Sequence, residues 1–156
     1  MKILVLLVAL CAGSCALANE TVAIEEVSAD PCVDADRGIQ LALNLCEAQK
    51  LEQAEQALAD VLAQIRQRYA GEKLFLVRLE KAQLAWAQLR DADLEARFPV
   101  DEGDQPSQVW GSSYGMVAAR FLADMTRART TYLQQWLDGI DEGDLSAGSI
   151  HWKQQP

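Results

Sequence analysis

The chain has 156 residues, 50% apolar and 24% charged, with a formal net charge of −9. That length suits one domain, and the apolar fraction excludes wholesale disorder. The 14 basic against 23 acidic residues argue against a nucleic-acid partner, because that affinity comes largely from cationic side chains set against phosphates.

Lys2, the apolar run Ile3 to Leu10 and the small residues Ala12, Gly13 and Ser14 make up the parts of a secretory signal peptide. The run is too short for a stable membrane span, which takes about 20 apolar residues. Ala16-Leu17-Ala18 fits the small-x-small cleavage pattern, so residues 1–18 read as a signal peptide and the mature chain starts at Asn19. The alternative is a lipoprotein acylated on Cys15. Either way the protein is exported, and the expected location is periplasmic or secreted. Cleavage after Ala18 leaves 13 basic against 23 acidic residues, a net charge of −10.

Cleavage also leaves two cysteines, Cys32 and Cys46. A single cysteine pair in an exported chain reads as a disulfide. Continuous helix would hold residues 14 apart in sequence at roughly 21 Å, whereas a disulfide needs Cα atoms about 4.4–6.8 Å apart. The chain must therefore turn between them. The expected place is Val33 to Gly38, with Asp34 or Asp36 capping the helix that carries Cys46. Closing such a loop stabilises the fold by roughly 3 kcal/mol on the chain-entropy model.

Ile39 to Tyr69 is free of proline and glycine, and Leu51, Ala54, Leu58, Leu62, Ile65 and Tyr69 recur at helical spacing. Gly71 ends this first long helix. A second runs from Glu72 to about Arg97 with Phe75, Leu79, Ala82, Trp86, Leu89 and Ala92 or Asp93 as its stripe, and Pro99 stops it. A third runs from about Ser112 to Leu137 on Val117, Phe121, Met125, Ala128, Tyr132 and Trp136. Nothing alternates with period two. The expected fold is all-α: a small antiparallel bundle of three main helices with one disulfide. The domain occupies residues 19–137, and residues 138–156 form a flexible acidic and polar tail. Between the second and third helices lies an unstructured loop from Pro99 to Gly111, long enough to suggest a function.

Little here suits catalysis. Nucleophilic catalysis needs a base held against the nucleophile, and the single histidine, His151, falls in the tail. A carboxylate-based hydrolase is the enzymatic alternative, since any of the 23 acids could supply a pair. Asp34-Ala35-Asp36-Arg37-Gly38 lacks the length and closing glutamate of a calcium loop, and no metal or other cofactor is implied. The acidic loop at Asp101, Glu102 and Asp104 is the candidate surface for a basic protein partner.

The most distinctive stretch is Lys81-Ala82-Gln83-Leu84-Ala85-Trp86-Ala87-Gln88-Leu89-Arg90-Asp91-Ala92. Arg90 falls one turn beyond Trp86 and is placed to lie across the indole. On the third helix Arg129 sits beside the apolar stripe, where an unpaired charge is costly; Asp91 and Asp93 are its expected partners. Gln83, Trp86, Arg90, Asp91 and Arg129 thus read as a set that fixes how the second and third helices dock.

The order Cys32, Cys46, a long helix ending in Tyr69, the Ala82 to Ala92 segment, Gly111-Ser112-Ser113 and Leu122-Ala123-Asp124-Met125-Thr126-Arg127-Ala128-Arg129-Thr130 resembles the LprI-type, lysozyme-inhibitor-like family of small exported bacterial helical proteins. The resemblance covers about residues 32–137. Family members often carry a second cysteine pair, and here the matching positions are Leu94 and Phe121, which implies an apolar contact in its place. It implies a protein-binding role, with inhibition of a basic lysozyme as the specific reading. The alternatives are an envelope adaptor, an immunity-type protein or a stress accessory without lysozyme activity.

Overall fold

The computed structural model describes residues 30–153. The leader read at residues 1–18, with its cleavage site and Cys15, lies outside the described residues.

Five helices follow in order: α1 (Pro31–Ala35), α2 (Gln40–Arg68), α3 (Lys73–Arg97), α4 (Pro106–Val109) and α5 (Tyr114–Asp138). No strand forms among the described residues beyond an isolated parallel bridge between Ile140 and Trp152. The all-α bundle of three main helices is therefore what the chain adopts. Each long helix lies within two residues of its expected span, because proline, glycine and helical periodicity act locally.

α3 runs antiparallel to both of the other long helices, so α2 and α5 are parallel to each other. Asn44 near the start of α2 meets Met116 near the start of α5, and Tyr69 at the end of α2 reaches the Trp136 carbonyl at the end of α5. α3 meets α2 in reverse order, with Phe75 against Tyr69 and Arg90 against Glu55.

The parallel pair packs most closely, and small residues are the reason. Ala42, Cys46 and Ala54 on α2 and Ala118, Ala119 and Ala123 on α5 are buried, and a Cβ on Gly115 would lie 3.4 Å from Asn44 Cγ. Larger side chains fill the other end: Leu58, Val61, Leu62, Ile65, Tyr69, Leu79 and Leu133 form the core cluster. Fully burying an aliphatic side chain of this size stabilises by about 1.5–3 kcal/mol. The expected apolar stripes of α3 and α5 are corrected here. Ala82 and Leu89 are exposed, and α3 turns Leu79, Gln83, Trp86 and Arg90 inward instead. On α5 the fully buried positions are Ala123, Thr126 and Leu133 rather than Ala128 and Tyr132, which are exposed. Large apolar residues marked the flanks of these helices, while the small ones occupied the closest approach.

Cys32 and Cys46 form the disulfide, with Cα atoms 4.7 Å apart. The turn is where it was expected, at 36–38, with Gly38 at φ +74°. The caps differ: Asp30 caps α1 by accepting the Cys32 N–H at 2.9 Å, and Ile39 precedes α2 without a side-chain cap. Asp34 is instead buried and pairs with Arg37 at 3.4 Å.

Two segments depart further. The loop after α3 contains α4, which Pro106 starts. The segment expected as a flexible tail folds back, to the limit of the described residues. Ile140 N–H donates to the His151 carbonyl at 3.0 Å, and Lys153 N–H donates to the Ile140 carbonyl at 2.8 Å. The His151 ring stacks on Tyr69 at 4.0 Å, its backbone N–H donates to the Tyr69 hydroxyl at 3.0 Å, and its Nε2 bonds the Glu72 carboxylate. Gly139 permits the fold-back, because its φ is +76° and a Cβ there would come within 2.9 Å of the His151 carbonyl oxygen.

Candidate functional site

The distinctive α3 segment and Arg129 do meet. Trp86 is half-buried, and two guanidinium groups approach its ring: Arg90 at 5.4 Å from its own helix and Arg129 at 5.9 Å from α5. Both lie within cation–π range. Arg90 is fixed on its outer side by Glu55 of α2 at 3.2 Å and by Asp91 at 2.9 Å. Arg129 packs over Tyr132 at 5.4 Å and donates through Nε to Gln83 Oε1 at 3.1 Å.

The expected Asp91 or Asp93 partner of Arg129 is corrected by this geometry. Asp91 is occupied by Arg90 on the same helix, Asp93 is exposed, and no carboxylate among the described residues pairs with Arg129. Its surroundings are a neutral amide and two ring faces. Burial accordingly pushes its guanidinium below the usual arginine value, with Tyr132 opposing. Helical geometry explains the exchange, since Gln83 lies on the inward face of α3 while Asp91 and Asp93 face elsewhere. What this joint can do is hold α3 against α5. It offers neither a nucleophile nor a paired acid and base.

The acidic loop forms the second part of the site. Phe98, the last residue before Pro99, meets Trp110 edge-on at 5.7 Å and Tyr114 edge-on at 5.5 Å. Trp110 Nε1 donates to the Pro99 carbonyl at 3.2 Å, which ties the two ends of the loop together. Asp104 N–H donates to the Asp101 carbonyl at 3.1 Å, and Gly103 at φ +93° lets the chain reverse there. Behind this turn is a cleft of about 500 Å³, walled by Leu94, Phe98, Pro99, Val100, Pro106 and Tyr114, with Glu95 and Asp104 at its lip. Asp101, Glu102 and Asp104 are all exposed. The cleft thus combines apolar and aromatic walls with negative charge at the mouth.

Phe98, Trp110 and Tyr114 were not singled out in the sequence. Their signal is an aromatic residue directly before Pro99 and another directly before Gly111, which bracket the loop. Leu94 and Phe121 also acquire places: Leu94 lines the cleft, and Phe121 lies under the Arg97 guanidinium at 4.9 Å. A cation–π contact from α3 therefore covers Phe121.

Among the described residues no helix is long and apolar enough to cross a membrane. No curated protein and no solved structure matches the chain. A family model, described as lysozyme inhibitor LprI, matches residues 32–133, from the first disulfide cysteine to the last core leucine of α5. The chain belongs to the LprI lysozyme-inhibitor family.

Proposed function

We propose that this chain is an exported, non-enzymatic protein-binding domain that inhibits a muramidase, and that the cleft behind Asp101–Asp104 is its contact surface. Family membership supports the class of partner, and the acid-lipped aromatic cleft carries the reading to a surface. Lysine and arginine side chains have an apolar stem and a charged tip. Such a side chain on a basic lysozyme would lay its stem along Phe98 and Tyr114 and its charge against Glu95 and Asp104. The exposed Asp101 and Glu102 beside the cleft add attraction that speeds encounter. Export through a leader at residues 1–18 accords with the Cys32–Cys46 disulfide, which persists in oxidising compartments. The polar set Gln83, Trp86, Arg90, Asp91 and Arg129 serves this reading as scaffold, holding α3 in place so that its C-terminal end presents one wall of the cleft.

The test is lysis of cell walls by a panel of muramidases, vertebrate-type and bacterial, titrated with the purified protein at low and physiological salt. Stoichiometric inhibition of one class is expected. Replacing Asp101, Glu102 and Asp104 together by their amides should weaken it about tenfold or more, chiefly through slower association. Lysis unchanged across the panel would reject the inhibitor reading and favour an adaptor role. Inhibition that survives the triple replacement would keep the inhibitor and remove the cleft from its surface.

A further inference from the structure

α3 is apolar on more than its packed face. Leu74, Val77 and Leu84 are exposed at 71%, 65% and 62%. They belong to a longer series, Leu74, Val77, Lys81, Leu84, Gln88, Asp91 and Glu95, in which steps of three and four alternate over three heptads, about six turns. Every residue of that series is exposed. Residues so spaced share one face of a helix, a seam on which a second helix can pack; here its apolar members are Leu74, Val77 and Leu84, and the rest are polar or charged. The bundle leaves this seam unused, because α3 turns Leu79, Gln83, Trp86 and Arg90 toward its neighbours instead.

The charges along the seam are segregated. Its N-terminal half carries Lys81, with Lys73 beside it, and its C-terminal half carries Asp91 and Glu95. Glu80, the acid of the N-terminal half, is engaged by Arg66 of α2 at 2.7 Å. A parallel partner with the same sequence would set lysine on lysine and acid on acid. An antiparallel partner sets the basic half of each helix over the acidic half of the other, and brings Leu84 of both copies near the middle. A face complementary to itself under a twofold rotation is what a closed symmetric dimer requires.

We infer that the outer face of α3 is a self-association surface, on which a second copy of this chain docks antiparallel with its own α3. This surface shares Glu95 with the cleft but takes a different partner, and it does not depend on the inhibitor reading. Asp91 remains available to it while holding Arg90, since that contact uses the Oδ1 oxygen of its carboxylate.

The experiment is sedimentation equilibrium on the purified full chain from low micromolar to millimolar concentration. Two charge-face variants are compared: Lys73→Glu with Lys81→Glu, and Asp91→Lys with Glu95→Lys. The wild type should reach twice the monomer mass with rising concentration. Each variant alone should remain monomeric, because its seam then carries one sign of charge. An equimolar mixture of the two variants should recover the doubled mass. A wild-type chain that stays monomeric at millimolar concentration overturns the inference, including a monomer that binds anionic vesicles through this face. A dimer that persists in both variants alone overturns it as well. Should a variant fail to fold by circular dichroism, Lys73→Cys and Glu95→Cys variants supply the second measurement. Cross-linking that is stronger in their mixture than in either alone supports the antiparallel pairing, and cross-linking that is no stronger overturns it.

Discussion

Asn44 on α2 caps α5 from 72 residues away in sequence: its Oδ1 accepts the Met116 N–H at 3.1 Å. Its Nδ2 donates to the Ser112 carbonyl at 3.0 Å, and Gln40 Nε2 supports the Oδ1 at 2.9 Å. Ser113, the residue at the start of α5, provides no side-chain cap of its own. The first N–H groups of a helix lack intrahelical partners, and here another helix satisfies one of them. The same side chain therefore ends one requirement of local structure and fixes the register of the closest helix pair.

Replacing Asn44 by Ala should lower stability by about 1–2 kcal/mol, the range for losing a cap. Asn44→Asp keeps the acceptor for Met116 and loses the donor to Ser112, so it should fall between the two. Urea unfolding of the three proteins checks this order. An alanine variant as stable as the wild type would show that water replaces the cap at no cost.

Glu47 is buried and holds Lys50 at 2.9 Å and Arg120 of α5 at 3.1 Å. The Arg120 hydrogen bond, more than any other influence, keeps its carboxyl below the usual 4.5, against the opposing effect of burial. With the folded value below the unfolded one, the ionised carboxylate contributes stability throughout the range above 4.5 and loses it as pH falls through the lowered folded value. Glu47→Gln should cost about 1–3 kcal/mol at neutral pH, because Lys50 and Arg120 lose a charged acceptor. The gap between variant and wild type should narrow as pH falls below 4.5 and through the lowered folded value. Denaturant midpoints measured across that range decide it, and a gap independent of pH would contradict the assignment.

Arg129 sits among Gln83, Trp86 and Tyr132 without a carboxylate partner. Arg129→Ala should therefore cost about 1–2 kcal/mol, the sum of a ring contact and one hydrogen bond. The larger loss of about 3–5 kcal/mol belongs to breaking a buried ion pair. Arg129→Lys should recover little, since an ammonium lacks the flat guanidinium that reaches both rings. Equilibrium unfolding of both variants provides the comparison, and a loss beyond about 4 kcal/mol would point to a charged partner after all.

Gly139 passes directly under the returning chain, where a Cβ would meet the His151 carbonyl oxygen at 2.9 Å and the Lys153 nitrogen at 3.0 Å. Gly139→Ala adds strain at φ +76°, of order 1 kcal/mol for a non-glycine residue. Its main effect should be local. Amide exchange at Ile140, His151 and Lys153 should accelerate, while Leu62, Ile65 and Leu133 keep their protection. Loss of protection throughout the core would mean that the returning segment is integral to the bundle.

The three long helices, their limits to within two residues, and the disulfide were legible in the sequence. Proline, glycine and 3.6-residue periodicity act within a few residues, so α2, α3 and α5 fell close to their expected limits. Cys32 and Cys46 are the two cysteines among the described residues and they pair, and Arg90 reached Trp86 because both stand on one helix, one turn apart. The family motif was legible for the same reason, as it is a contiguous run of residues.

Which helix faces meet could be read only from the packed bundle. The inward face of α3 sets Gln83 against Arg129 where Asp91 had been expected, because Asp91 lies about two turns further along the helix and no local rule sets the register or rotation of one helix on another. Alanines on α2 and α5 defined the closest contact although larger apolar residues stood nearby, because close approach favours small volume over hydrophobicity. His151 could not be placed from the sequence: its partners Tyr69 and Glu72 lie about 80 positions away, and only a glycine at 139 lets the chain return to them. The aromatic clasp of Phe98, Trp110 and Tyr114 likewise depends on bringing two helix ends together. Contacts of long sequence separation follow from how whole helices pack, and that packing is a property of the folded chain.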